Sequence, residues 1–111
     1  MLTIDELIKE THDIAIANGW WTKPATFVES IALAMCEGSE AIEEWRNHRE
    51  INEIYYTPDK KGPQGIPVEI ADMILRLCDA CGQWDIPLSE ALELKSAYNK
   101  TRAFRHGDKC L

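Results

Sequence analysis

The chain reads as an all-α protein, a bundle of four main helices, on three observations. Apolar residues recur at three- and four-residue spacing over four separate stretches, and helix-start signals precede them. No stretch of any length alternates apolar with polar residues as a half-buried strand would. With 111 residues, 45% hydrophobic and 28% charged, the sequence fits one domain spanning residues 1–111. A chain this short buries only a modest core by itself, so a second copy is expected to cover the remaining apolar helix faces.

Thr3-Ile4-Asp5-Glu6 is a capping box, a hydroxyl at the N-cap with Glu three residues on. Ile4, Leu7, Ile8, Thr11, Ile14 and Ala15 then keep helical spacing until Gly19, so the first helix spans roughly residues 3–18. Gly19 to Pro24 forms a turn carrying Trp20 and Trp21. The second helix begins near Ala25 or Thr26 and runs to about Arg49, apolar nearly all round in its first half and amphipathic in its second. Residues 51–66 break the helical pattern with Pro58, Gly62, Pro63 and Gly65, and a connection of that length in a small domain is a candidate lid. The third helix starts at Pro67 and continues to about Gln83. Its narrow polar stripe of Glu69, Asp72, Arg76 and Asp79 leaves so much apolar surface that this helix is expected at the centre. Ser89 caps a fourth helix that fades near Phe104.

Net charge is −7 with a pI near 4.9, and Lys and Arg accumulate on no segment. Nucleic-acid polymers are therefore not expected as partners. The first residues carry neither a basic nor an apolar leader region, and no apolar run reaches the roughly 18 residues of a membrane span, so a soluble, cytoplasmic protein is expected. Cys36 and Cys78 fall within apolar helical runs, and the Cys78-x-x-Cys81 pair has no second CxxC and no well-spaced His pair. Buried or incidental thiols are the expectation for the four cysteines, in preference to zinc or redox chemistry. His12 and His48 are assigned no chemistry, as surface or satisfied interior residues.

Glu37 and Glu40 stand three apart on the second helix, as do Glu69 and Asp72 on the third. Each pair shares one helical face. Either stripe alone reads most simply as a solvated face, and acidic residues early in the third helix also suit its dipole. Two matched pairs set into nearly all-apolar helices change that balance. If the two helices pack antiparallel, the four carboxylates converge, and a cation between them relieves their repulsion. Carboxylates without imidazole suit Mg²⁺ or Mn²⁺, which complete their octahedra with water and substrate phosphates. Glu43 and Glu44 stay on the solvated face.

Glu37-x-x-Glu40, a gap of 28 residues, and Glu69-x-x-Asp72 resemble the ExxE…ExxD motif of the MazG-like all-α nucleoside triphosphate pyrophosphohydrolases. Lys95-x-x-x-Asn99-x-x-Arg102 and His106-Gly107-Asp108-Lys109 extend the resemblance over about Trp20 to Lys109, while the loop between Glu50 and Pro67 departs from it. The resemblance implies a homodimer or homotetramer that hydrolyses a nucleoside or deoxynucleoside triphosphate, with Mg²⁺ (or Mn²⁺) on Glu37, Glu40, Glu69 and Asp72. Glu40 is then the candidate to orient or deprotonate the attacking water. Lys95, Asn99 and Arg102, at i, i+4 and i+7 on one face of the fourth helix, are candidate triphosphate contacts. His106 and Lys109 are candidates to close over phosphates, and Trp20 to stack on a base. The reading from a different class is a non-catalytic helical dimer, an interaction or regulatory module with solvated acidic stripes.

Overall fold

The computed structural model describes residues 1–59 and 61–102. They form four helices and no strand: α1 (Ile4–Ala17), α2 (Phe27–Arg46), α3 (Ile66–Gln83) and α4 (Leu88–Thr101). None is long and apolar enough to cross a membrane. The capping box at Thr3 closes as the sequence predicts, and a second one at Thr26 opens α2 with Glu29 as its reciprocal partner. α1 stops in a Schellman turn, with Gly19 in the left-handed region and the Trp20 N–H donating to the Ala15 carbonyl at 3.0 Å.

Two helices end or begin away from the expected residue, each for a local reason. α2 stops at Arg46, short of Arg49, because His48 takes the left-handed conformation (φ 66°) and the Arg49 N–H turns back to the Glu44 carbonyl. This is the turn a glycine usually supplies, and no glycine announces it. α4 begins with Pro87 at its N-cap, so Ser89 lies inside the first turn and makes no side-chain cap.

α3 is central, packed against α2 on one side and α1 on the other. The fully buried apolar residues, Ala34, Ile66, Cys78, Ala80 and Cys81, all lie on α2 or α3. Cys78 and Cys81 are thus core residues, and burial pushes both thiols up from their ordinary range. Contacts between Glu37 and Arg76, Gly38 and Met73, and Glu40 and Glu69 run in opposite sequence directions, so α2 and α3 are antiparallel. α1 reaches α3 closely at Gly82, where an added Cβ would lie 2.6 Å from the His12 Cβ. α4 touches chiefly α1, and every residue from Glu90 to Thr101 is exposed. The bundle is therefore a packed set of three helices with the fourth laid loosely on α1.

The expected lid is fastened to α2. Tyr55 and Gln64 exchange backbone hydrogen bonds of 3.0 and 2.8 Å. The Tyr55 hydroxyl donates to both Glu44 oxygens at 3.0 and 2.9 Å, and the Arg49 guanidinium lies 3.6 Å over its ring. Glu44 accordingly leaves the solvated face assigned to it. Gly65, the N-cap of α3, takes φ 124°, and a Cβ there would meet the Glu53 carbonyl oxygen at 2.3 Å. Gly65→Ala is expected to cost on the order of 2 kcal/mol or more in chemical denaturation. Gly62→Ala, with nothing within 4 Å of its added methyl, is expected to stay within about 0.5 kcal/mol.

Candidate metal centre

The antiparallel seam brings Glu37 and Glu40 of α2 against Glu69 of α3, with one carboxylate oxygen from each lying within 4.8 Å of the others. Their burial falls off outward: Glu37 is 7% exposed, Glu69 is half-buried and Glu40 is exposed. Asp72 lies outside this trio. It sits one turn along α3 and lines the cavity next to the seam together with Glu37 and Arg76.

Only one base bonds to the trio among the described residues: Arg76 Nε donates to Glu37 Oε1 at 2.6 Å. That bond is the main reason the Glu37 carboxyl is held below its usual range, against the opposing pull of burial. Glu69 lacks such a partner. Its Oε2 is buried, and no donor among the described residues reaches it. Burial first, then hydrogen bonding and charge from Glu40 and the charge of Asp72, push the Glu69 carboxyl up to about 7. Asp72 is raised too, by burial and the charge of Glu37, with Arg76 opposing. At neutral pH the cluster therefore lacks positive charge at Glu69, and a proton fills part of that need. Three carboxylates, one with an orphaned buried oxygen, fit a hard, oxygen-seeking dication, and among the described residues no soft or imidazole donor joins them.

Beside the trio opens a cavity of about 450 Å³ between α1, α2 and α3. Ile14, Leu33 and Leu75 supply its apolar wall, and Asn18 and Ser30 supply neutral polar groups. Trp20 and Trp21 both line it, Trp20 being 66% exposed. Trp21 is fixed: its Nε1 donates to Asp79 Oδ1 at 3.0 Å, and its ring meets His12 and Trp84 edge-to-face. The same Asp79 oxygen lies 2.7 Å from His12 Nδ1, joining α1, the tryptophan turn and α3 at one atom. His12 is thus a satisfied interior histidine, as its sequence context implies.

Lys95 and Asn99 occupy the exposed α4, whereas Arg102 is its half-buried C-cap in extended conformation; Lys95 and Arg102 gather on the Tyr98 ring at 5.0 and 5.4 Å. None of the three lines the cavity. His106 and Lys109 lie outside the described residues. Arg76 and Asp79 were legible only as part of the polar stripe on α3. The available signal was their spacing of four and seven residues from Asp72, which sets them on the same face as the acidic pair.

No protein-family model, no curated protein and no solved structure matches the chain. The site therefore rests on its own geometry.

The Glu69 shift has a definite sign in stability. A carboxyl raised from 4.5 to about 7 on folding keeps in the native state a proton that the unfolded chain releases, so its contribution falls as pH rises from 4.5 through 7. In chelator, the melting temperature of Glu69→Gln relative to the parent chain is expected to climb between pH 5 and 7.5. A constant difference across that range would contradict the assignment.

Proposed function

We propose that the chain is a Mg²⁺-dependent nucleoside or deoxynucleoside triphosphate pyrophosphohydrolase, releasing the monophosphate and pyrophosphate in nucleotide-pool housecleaning. One observation carries the reading: the carboxylate trio, with the donorless Oε2 of Glu69, adjoins a cavity walled by tryptophan and polar groups. The resemblance of Glu37-x-x-Glu40 and Glu69-x-x-Asp72 to the MazG-like motif supports the same conclusion from the sequence.

In this reading Glu37, Glu40 and Glu69 hold Mg²⁺, or Mn²⁺ in its place, with Asp72 at the edge of the group. The bound ion polarises the phosphoryl group and makes a water more acidic. Glu40, the most exposed of the trio, accepts the proton of the water that attacks α-phosphorus. Glu37, anchored by Arg76, keeps its carboxylate ionised and fixed in direction, as an outer partner does for a metal ligand. The cavity takes the base and sugar: Trp20 offers a ring face, and Asn18 and Ser30 offer donors and acceptors for a base edge.

The working unit in this reading is a homodimer or homotetramer. Leu92, Leu94 and Tyr98 on α4, with Val28 and Met35 on α2, are among the large apolar residues left uncovered. An isolated helix as short as α4 is marginal without packing, so a second copy against it accounts for both facts.

Incubation with a panel of nucleoside triphosphates and Mg²⁺, read separately for pyrophosphate and orthophosphate, is expected to give pyrophosphate alone. Glu40→Gln and Asp72→Asn are each expected to abolish that release while leaving the helical circular dichroism intact. Saturating Mg²⁺ is expected to raise the melting temperature of the parent chain. Unaltered turnover in both variants overturns the site assignment, and a parent chain without turnover and insensitive to Mg²⁺ favours the non-catalytic helical module instead.

A further inference from the structure

We infer that Arg76 contacts substrate phosphate directly, making the junction of the carboxylate trio and the cavity an anion subsite built within one protomer. This inference rests on the triphosphate reading above and names a residue that reading leaves in a supporting role.

A ligand carrying several negative charges toward an acidic cluster needs cationic donors beyond the metal. Among the described residues that line the cavity, Arg76 is the one Lys or Arg. The α4 cations do not reach it, since Lys95 and Arg102 gather on Tyr98. Arg76 stands on α3 between Asp72 and Asp79, both of which line the same space. Its side chain is 36% exposed, against 10% for the Glu37 side chain that it grips.

The guanidinium is only partly used. It has five N–H donors in a rigid fork, and the one bond it makes to a described residue runs from Nε to Glu37 Oε1 at 2.6 Å. The two terminal amino groups have no acceptor among the described residues. Asp79 is held by His12 and Trp21 through Oδ1 and makes no bond to Arg76 among the described residues. Pairing through Nε fixes the plane of the fork, and the terminal donors are then offered as a pre-set pair to a phosphate's non-bridging oxygens. Arg76 thereby joins two tasks: one edge orients Glu37, and the other binds anionic ligand. A lysine keeps the charge and loses the fork, while a glutamine keeps a single donor and loses the charge.

The test compares a nucleoside 5′-monophosphate with its uncharged nucleoside, using whichever of the four common bases binds the parent chain tightest in Mn²⁺. Binding of both is followed by calorimetry, and binding of Mn²⁺ alone by electron paramagnetic resonance, in the parent chain, Arg76→Gln and Arg76→Lys. Arg76→Gln also loosens Glu37 and is expected to weaken Mn²⁺; with Mn²⁺ saturating in every variant, it is expected to weaken the monophosphate about 10- to 100-fold while the nucleoside stays within about threefold of the parent. Arg76→Lys is expected to recover part of the loss for the monophosphate. Equal weakening of nucleoside and monophosphate, or a loss confined to Mn²⁺, overturns the contact and leaves Arg76 acting only through Glu37. A folded parent chain that binds neither Mn²⁺ nor any nucleotide overturns the triphosphate reading itself, and this inference with it.

Discussion

Glu37 is 7% exposed inside the α2–α3 seam, and a carboxylate buried there costs several kcal/mol unless a cation meets it. Arg76 meets it from the facing helix, so the two helices are held in one register: a slide of one turn would strand both charges. That register also decides what else faces the seam. Glu40 falls opposite Glu69, Gly38 opposite Met73, and the cavity opens where α1 closes over the polar edge. The pairing leaves Glu69 as the unsatisfied member of the group, since one arginine cannot neutralise every carboxylate gathered around it.

The helices were legible because their signals are local. Thr3 announces a capping box, Gly19 announces a stop, and the continuous apolar surface of α3 announces its central place, whereas the box at Thr26 emerged only in the structure. The missed boundary of α2 shows the limit of such signals: His48 adopts a conformation that costs a side chain about 1 kcal/mol or more, and the stacking and ion pair of the following Arg49 hold the turn in place. The convergence of Glu37, Glu40 and Glu69 followed from helical spacing plus one assumption, antiparallel packing. Asp72 was grouped with them by the same spacing, yet the rotation of α3 turns it toward the cavity. Helical periodicity fixes which residues share a face but leaves free the angle at which that face meets its neighbour.

Arg76, Asp79, His12 and Trp21 were less legible for a different reason. Their roles depend on contacts across 39 to 67 residues of sequence, and no pattern within one helix encodes a partner on another. The paired placement of acidic and basic groups on α3 shows only that the polar stripe is mixed in sign. Only the packed structure separates the arginine bonded to a buried carboxylate from the aspartate committed to an indole and an imidazole.

Gly82 controls a dimension of the site without belonging to it. The missing methyl at this position lets the His12 side chain settle on α3, and α1 carries Ile14, Ala15 and Asn18 into the cavity wall from there. The gap between α1 and α3 is therefore gauged by a hydrogen atom two to three turns from the carboxylates. Residue 82 is a remote calliper on pocket width: bulk added there would tilt one wall outward, altering which ligands fit without changing a single group that touches them.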